Sequence, residues 1–160
     1  MERTFKRVKV CAYCRVSTKD KEQLTSFENQ IAYFQREFGE NENYELVCLY
    51  ADRGRSGTSL KRPEFDKMIL DAGIDKTQMD GDLFRITGKP KFSRILIKNT
   101  SRFARNVSAD MLLKTLRKNG VYVDFIDTNL STERDTDITM LQVLQVLDEN
   151  ESRDKSRKVL

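Results

Sequence analysis

The sequence predicts a three-layer α/β/α domain around a mostly parallel sheet of four to five strands, followed by a long C-terminal helix. Four short segments rich in apolar and β-branched residues recur along the chain, at 8–16, 44–52, 94–99 and 121–127. Amphipathic segments with helical spacing separate them. Strands that alternate with helices pair in parallel through right-handed crossovers. With 160 residues, the chain has the length of one compact domain.

The first strand and the helix after it have the clearest patterns. Segment 8–16 is almost continuously apolar, which is typical of a strand buried on both faces. The apolar residues of the following helix recur at intervals of three and four and form one stripe: Leu24, Phe27, Ile31, Phe34 and Phe38. Gly39 follows this stripe directly and indicates the end of the helix.

Two further helices have recognisable boundaries. Pro63 stands where a first-turn proline is favoured, and a short apolar face then runs to Gly73. Ser108 can cap a third helix, which Gly120 ends. The apolar faces of these two helices are Phe65, Met68 and Ile69, and Leu112, Leu113 and Leu116.

Two segments depart from this alternation. Residues 74–92 show neither the apolar period of a helix nor that of a strand. This segment is therefore predicted to be a long loop or a hairpin-like insertion. From Asp137 an apolar helical stripe gives way to charged residues with i,i+4 pairs such as Glu151 with Lys155, which predicts one long helix with a solvent-facing end. We therefore expect one compact domain at 1–136 and the start of a long helix at 137–160, in a chain cut from a longer protein.

The composition excludes several kinds of chemistry. The chain has no histidine, so Ser-His-Asp and Cys-His hydrolases, zincins and histidine-containing zinc fingers are excluded. No apolar run approaches the ~18–20 residues that span a bilayer, and no secretory signal is present, so a cytoplasmic location is expected. The chemistry must come from hydroxyls, carboxylates, lysines and arginines.

Three cysteines form an odd set that does not indicate a disulfide framework. Cys11 and Cys14 have the C-x-x-C spacing of a metal or redox pair, but they lie in a predicted strand, where positions three apart face opposite sides. Burial in the core is therefore favoured over a metal or redox role for this pair. Cys48 lies in the second strand and has no predicted role.

Basic residues are concentrated in one stretch. The net charge is +4, but residues 85–109 contain seven basic residues and no acidic one. The basic residues are Arg85, Lys89, Lys91, Arg94, Lys98, Arg102 and Arg105. Most charge runs are solvated faces, but a run of a single sign fits a surface that contacts phosphates.

The candidate reactive residues follow the predicted strands. Ser17 stands at the exit of the first strand, two residues after Arg15, and Asp52 closes the second. Arg102 and Arg105 follow the third strand at a spacing that places them on one face of a helical turn. Alone, Ser17 and Asp52 would be interpreted as caps or turn residues. Together with arginines, a serine can attack an anionic phosphate whose charge they neutralise.

These residues occur in an ordered set of motifs. The motifs are Tyr13-x-Arg15-Val16-Ser17-Thr18; Gln23, Ser26 and Gln30; Tyr50-Ala51-Asp52-x-Gly54-x-Ser56-Gly57; Arg62-Pro63; Ser101-Arg102-Phe103-Ala104-Arg105-Asn106; and Glu151-Ser152. In this order the chain resembles the catalytic domain of the serine recombinases, the resolvase/invertase superfamily, and more specifically the N-terminal domain of a large serine recombinase or transposon integrase. Ser101 stands where many small resolvases carry an aspartate.

The resemblance implies a site and a reaction. Ser17 would attack a DNA phosphodiester and become linked to the 5′ phosphate, so that strands are cut and rejoined without ATP. Four arginines would bind the scissile phosphate: Arg15, Arg62, Arg102 and Arg105. Gln30 and Asp52 would position groups around it. The resemblance implies no metal, no other cofactor and no small-molecule substrate.

The resemblance also implies partners and an assembly. The expected partner is double-stranded DNA at attachment sites, in a bacterial cell and at its nucleoid, for integration or excision of a mobile element. Homodimers would assemble into a synaptic tetramer that exchanges strands by rotating one half against the other. The long final helix would contact DNA, and its basic residues Arg153, Lys155, Arg157 and Lys158 could bind phosphates.

Two other classes of protein remain open. A metal-dependent or phospho-acceptor α/β domain would use Asp52 and Asp127 at strand ends, but it needs a carboxylate cluster, and the chain is rich in arginine instead. A non-catalytic DNA-binding or oligomerisation module could share the fold. The presence of Ser17 beside the arginines argues against that module.

Overall fold

A computed structural model describes residues 6–17, 21–39, 41–54, 62–98, 103 and 108–138, with the backbone alone at 16–17, 21–27, 53–54 and 108. Its elements in chain order are β1 (Val8–Ser17), α1 (Lys21–Phe38), β2 (Tyr44–Gly54), α2 (Pro63–Asp71), β3 (Ile74–Asp80), β4 (Leu83–Ile86), β5 (Arg94–Ile97), α3 (Ser108–Lys118), β6 (Tyr122–Phe125) and β7 (Leu130–Ser131). The four predicted strands and three predicted helices are all present.

The central sheet has five strands in the order β2-β1-β5-β6-β7. Strands β2, β1, β5 and β6 run parallel, and the two-residue strand β7 pairs antiparallel with β6. The predicted mostly parallel sheet is confirmed. Strand β1 lies in the interior of the sheet, so its residues 10–14 are buried on both faces, as their apolar character predicts.

The two faces of the sheet carry separate cores. On one face, Phe34 of α1 packs against alternate residues of β1 and against Leu96 of β5. On the other face, α2 and α3 pack against the intervening residues of β1, which include Cys11 and Tyr13. The alternation of side chains along a strand produces this division, and it confirms the predicted three layers.

The helix ends agree with the predicted stops. Helix α1 ends at Phe38, and a Cβ added to Gly39 would lie 2.3 Å from the carbonyl oxygen of Gln35. Glycine is therefore required here for space, since its φ is not in the left-handed region. Helix α2 begins at Pro63, as predicted, and α3 begins at Ser108 and ends two residues before Gly120.

The segment predicted as a loop or hairpin-like insertion forms a hairpin. Strands β3 and β4 pair antiparallel as a separate two-stranded sheet. The hairpin packs against α3, where the backbone N–H of Phe84 donates to Thr115 Oγ1 at 3.2 Å. Gly73, at φ +81°, opens the hairpin, and a Cβ there would meet the carbonyl oxygen of Gly88 at 2.2 Å. The close approach of two backbones explains the glycine.

Ion pairs attach the last described segment to the sheet. Arg94 of β5 donates to Asp124 of β6 at 2.7 Å and also pairs with Glu133, just beyond β7. Asp137 accepts from the backbone N–H of Ser131 at 3.1 Å. Residues 135–138 form a helical turn. The long helix expected at 137–160 lies outside the described residues after 138, so the division into 1–136 and 137–160 stays a prediction.

Within the described ranges, no helix combines the length and the apolar character that crossing a membrane requires.

Candidate active site

The carboxyl ends of β1 and β2 lie side by side and bring two sequence-predicted positions together. In the parallel register of these strands, Arg15 is the partner of Asp52, and Ser17 is the partner of Gly54. Active sites of parallel α/β sheets form at this edge. The backbone of Ser17 therefore ends β1 beside the end of β2, and its side chain lies outside what the structure describes.

Asp52 connects the end of β2 to the start of α2. It is buried, with 5% of its surface exposed. Its Oδ1 accepts from the backbone N–H of Glu64 at 3.0 Å, and its Oδ2 accepts from the backbone N–H of Phe65 at 3.0 Å. These N–H groups have no partner within the helix, and a carboxylate also interacts favourably with the positive end of the helix dipole. Asp52 thus caps α2 from a neighbouring strand and fixes the helix at the strand ends.

Tyr13 is a functional candidate that the sequence analysis did not single out. Its buried hydroxyl donates to Asp52 Oδ2 at 2.8 Å and accepts from Arg62 Nε at 3.1 Å. Burial raises the pKa of Tyr13 above its ordinary value, although the charge of Arg62 acts in the opposite direction. The hydroxyl therefore remains protonated and able to donate. The sequence does contain a signal for Tyr13: it is a tyrosine in an otherwise apolar strand predicted to be buried, and a buried hydroxyl needs a hydrogen-bond partner.

Arg62 lies at the centre of the described site. Its guanidinium carbon is 4.0 Å from the centroid of the Phe65 ring and 5.1 Å from that of the Tyr13 ring. Its Nη1 donates to the backbone carbonyl of Phe103. Burial lowers the pKa of Arg62, and the charge of Arg15 lowers it further, while Tyr13 and Asp52 raise it. Arginine nevertheless stays charged at physiological pH.

Two cations lie in the strand-end region, because Arg62 donates to the Tyr13 hydroxyl and Arg15 stands two residues further along β1, on the same face of the strand. Like charges at close range disfavour each other, and an anion between them removes this cost. Asp52 compensates part of this cost, since its charge raises the pKa of Arg62. A bound oxyanion such as a phosphate would add to this compensation through charge-assisted hydrogen bonds from the guanidiniums.

Phe103 brings a second predicted motif to the site. It is fully buried, and its ring packs 5.5 Å from that of Phe65 and 6.3 Å from that of Phe125. Its carbonyl accepts from Arg62, so the backbone of Phe103 contacts the residue at the start of α2. Arg102 and Arg105 stand on either side of this anchor in sequence and lie outside the described residues.

Gln30 lies on α1, across the sheet from α2. Its side chain is 7% exposed, and its Oε1 is buried without a hydrogen-bond partner. An unsatisfied buried amide oxygen costs about 1–3 kcal/mol and is uncommon in native proteins. The described contacts do not connect Gln30 with the Arg62 network. The predicted DNA-contacting residues Arg153, Lys155, Arg157 and Lys158 also lie outside the described part of the chain.

Cys11, Cys14 and Asp127 are the residues that could suggest a metal or redox centre. Cys11 and Cys14 are both buried, and they belong to the cores on opposite faces of the sheet, as predicted. Burial raises the pKa of Cys11 well above its ordinary value, which disfavours the thiolate that metal binding requires. Asp127 is exposed in the turn after β6. Among the residues with described positions, no three potential ligands from His, Cys, Asp and Glu form a group.

Comparisons with known proteins agree with this architecture. The sequence model described as "Resolvase, N terminal domain" matches residues 10–160. A resolvase family site-specific recombinase from Streptococcus pneumoniae is 26% identical, with a TM-score of 0.60 and 95% of each chain covered. The N-terminal catalytic domain of TP901-1 integrase is 21% identical, with a TM-score of 0.55, and the match covers 91% of this chain and 97% of that one.

A further solved structure has the same fold at lower similarity. The C-terminal catalytic domain of ISC1926 TnpA, an IS607-like serine recombinase, is 18% identical with a TM-score of 0.50, and the match covers 85% of this chain and 78% of that one. No protein of curated function matches the sequence. The family match confirms the resemblance predicted from the motifs, over nearly the whole chain.

Proposed function

The chain belongs to the resolvase N-terminal domain family, the catalytic domain of serine recombinases, and we propose that it cuts and rejoins DNA through a covalent serine intermediate. Site-specific recombination is the activity of this family. The covalent step and the residues that perform it are our proposal. The observation that carries it is the hydrogen bond from Arg62, at the start of α2, to Tyr13 of β1, the strand that also carries Arg15 and ends at Ser17.

The proposed reaction is a transesterification at phosphorus. Ser17 Oγ loses its proton and forms a bond to the phosphorus, while the bond from phosphorus to the 3′ oxygen breaks. The 3′ oxygen takes up a proton and leaves as a hydroxyl, and the 5′ phosphate remains on the serine. The reverse reaction joins a new 3′ hydroxyl. One phosphoester replaces another, so no external energy source is needed.

Arginines supply the stabilisation that this reaction needs. The chain has no histidine to act as a strong base, so catalysis depends on neutralising the charge of the phosphate as it becomes five-coordinate. Arg15 and Arg62 are proposed to bind the phosphate oxygens, together with Arg102 and Arg105. The carbonyl of Phe103, bound by Arg62, supports the contribution of the last two, because it lies between them in the sequence.

Two further residues are proposed to position this set. Asp52 holds the start of α2, and therefore Arg62, at the strand ends through its three hydrogen bonds. Gln30 has a buried Oε1 that lacks a donor, which is consistent with an oxygen that pairs with a group brought in by bound DNA or by a rearranged side chain.

Several broader expectations remain part of the proposal. The partner is double-stranded DNA at attachment sites, and homodimers assemble into a tetramer in which half the complex rotates. Residues 1–136 form the catalytic domain, and the helix from 137 contributes dimer contacts and phosphate contacts. The protein acts on a mobile element in the bacterial cytoplasm.

A covalent adduct tests the proposal. The full-length protein is incubated with a candidate attachment site that carries a nick, so that a released strand cannot be rejoined. Wild type should form a protein–DNA adduct that survives denaturation and maps by mass to the peptide containing Ser17. Ser17→Ala should form none. Ser93→Ala is the matched control, since Ser93 precedes β5 at the other end of the parallel strands, where its hydroxyl donates to the Lys9 carbonyl.

Each outcome is decisive. An adduct that forms with wild type and Ser93→Ala but not with Ser17→Ala establishes the serine intermediate. An adduct at another residue would reject the assigned nucleophile. If wild type binds the site and forms no adduct on the nicked DNA, the fold acts as a non-catalytic DNA-binding module instead.

A further inference from the structure

The β3–β4 hairpin contains a bulge that has no role in the proposed reaction. Asp75 pairs with Arg85 and Met79 pairs with Phe84, so residues 76–78 of β3 have no strand-pairing partners in β4. Asp75 Oδ1 fixes this bulge by accepting from the backbone N–H of Thr77 at 2.9 Å and from its hydroxyl at 2.5 Å. A bulge aims a side chain away from the direction that regular pairing would give it.

The bulge directs Lys76 toward the start of α2. Its ammonium pairs with Asp66 and lies 5.4 Å from the centroid of the Phe65 ring. The Arg62 guanidinium carbon lies 4.0 Å from the same centroid. Two cations from different parts of the chain therefore approach one aromatic ring, and one of them belongs to the candidate active site.

We propose that Lys76 contacts a backbone phosphate of bound DNA adjacent to the phosphate held by Arg62, so that the hairpin extends the DNA-binding surface. This inference rests on the proposed function, which places a scissile phosphate at Arg15 and Arg62. Charges along one DNA strand recur about every 3.4 Å of helix axis, so a second cation near Arg62 meets a neighbouring phosphate of the same strand. The contact is independent of base sequence.

Lys76 can exchange its present partner for a phosphate. The Lys76 side chain is 37% exposed and that of Asp66 is 51% exposed. Exposed ion pairs of this kind contribute little to stability, so little is lost when the lysine turns to DNA. The polyanionic strand also attracts the lysine more strongly than a single exposed carboxylate does.

The chain offers a matched control at the other end of the same helix. Lys91 pairs with Asp71, the last residue of α2, at 3.1 Å, and its side chain is 73% exposed. Although Lys91 belongs to the basic stretch 85–109 of the sequence, this contact and the bond from its backbone N–H to the Asp71 carbonyl place it at the end of α2 away from Arg62, so it is not part of the proposed phosphate-binding surface. Lys76→Gln and Lys91→Gln each remove one positive charge from a lysine that pairs with an α2 carboxylate. The two variants differ in their distance from Arg62, and thermal unfolding of each checks that the fold is kept.

The measurement is the salt dependence of binding by the full-length protein to a random-sequence DNA duplex. Lys76→Gln should reduce the magnitude of the slope of log association constant against log salt concentration by about one per protomer. Lys91→Gln should leave this slope unchanged. Asp66→Asn should tighten binding, and the gain should disappear in the Asp66→Asn/Lys76→Gln double variant, because freeing a lysine matters only when the lysine is present.

The alternative outcomes separate the two proposals. The hairpin contact is overturned if the slope is unchanged in Lys76→Gln, or if the slope decreases equally in both lysine variants. The covalent adduct on nicked DNA is measured with the same preparations. If wild type forms the adduct and the Lys76→Gln slope is unchanged, the hairpin contact fails and the recombinase proposal stands. If wild type forms no adduct and the Lys76→Gln slope still falls by about one, the recombinase proposal fails and the hairpin contact with DNA stands.

Discussion

The buried hydroxyl of Tyr13 donates to the carboxylate of Asp52 at 2.8 Å, and this bond joins the two strands that end at the candidate active site. Asp52 also caps α2, and Tyr13 also accepts from Arg62. One polar side chain from each strand, Tyr13 and Asp52, therefore holds both the start of α2 and the guanidinium of Arg62 in place. The Arg62 guanidinium is held by a network whose other two side chains, Tyr13 and Asp52, are buried.

Removing the Tyr13 hydroxyl should impair cleavage more than folding. In Tyr13→Phe, the ring keeps its packing 5.2 Å from the Phe65 ring, but Arg62 Nε loses its acceptor. We expect a loss of about 1–2 kcal/mol in the free energy of unfolding, because two hydrogen bonds of about 1 kcal/mol each are removed. Adduct formation should fall about tenfold or more, because a misplaced guanidinium stabilises the transition state less well.

Tyr50→Phe is the matched control for this variant. The Tyr50 hydroxyl is also buried and donates to a carboxylate, that of Asp71, at 2.5 Å, but this pair lies at the C-terminal end of α2. The control should lose stability to a similar extent and keep its rate of adduct formation. Equal losses of cleavage in the two folded variants would contradict a positioning role for Tyr13.

Replacing Arg62 by lysine should remove most of the cleavage activity while preserving the charge. A lysine cannot donate both to the Tyr13 hydroxyl and to the Phe103 carbonyl with the planar geometry of a guanidinium. We expect adduct formation to fall about 100- to 1,000-fold, the usual effect of removing one electrostatic stabiliser. Single-turnover cleavage of the nicked substrate measures this change.

DNA affinity provides the check on Arg62→Lys. Because the net charge is unchanged, the salt dependence of binding should match that of wild type. A variant that binds and cleaves as wild type does would contradict the assignment of Arg62 to the scissile phosphate.

Neutralising Asp52 should destabilise the fold through the start of α2. In Asp52→Asn, only one oxygen remains to accept from Glu64 N–H, Phe65 N–H and the Tyr13 hydroxyl. The loss of a helix cap costs about 0.5–2 kcal/mol, and an unsatisfied buried donor adds to it. Denaturant unfolding of Asp52→Asn should show a lowered midpoint, whereas an unchanged midpoint would mean that Asp52 does not cap α2.

Stability should decrease at alkaline pH as buried tyrosines ionise. Burial raises the pKa of both Tyr13 and Tyr50 above the ordinary tyrosine value of about 10. Their protonated forms therefore stabilise the folded state fully below pH about 10, and this contribution is lost as the pH rises toward the higher folded values. Unfolding free energies measured across this range should fall more steeply in wild type than in Tyr13→Phe or Tyr50→Phe.

The three cysteines should differ in reactivity. Cys11 and Cys14 are fully buried, and burial raises the pKa of Cys11, whereas Cys48 is partly exposed. A small alkylating reagent should modify Cys48 first in the native protein, and it should reach the other two only on unfolding. Cys48→Ser should abolish the fast phase. Rapid native labelling of Cys11 or Cys14 would contradict their burial on opposite faces of the sheet.

Local patterns sufficed for the strands and helices that carry the site. The apolar run of β1 and the helical stripe of α1 depend only on the periodicity of neighbouring residues. The location of Arg15 and Asp52 at adjacent strand ends followed from the parallel order, and the register confirms it. Arg62 was found by its place in the motif order, and its contact with Phe103 was not foreseen.

The sequence by itself determined the layer order, the strand-end edge and the residue types available for phosphate chemistry, because periodicity, missing residue types and motif order are properties of the chain. The tertiary structure decided which groups meet. Asp52 caps a helix that begins eleven residues later, Tyr13 joins Asp52 to Arg62, and a bulge in β3 brings Lys76 beside the same ring as Arg62. These contacts join residues that are distant in sequence, and they exist only because the sheet and the packed helices bring those residues within hydrogen-bonding or van der Waals distance.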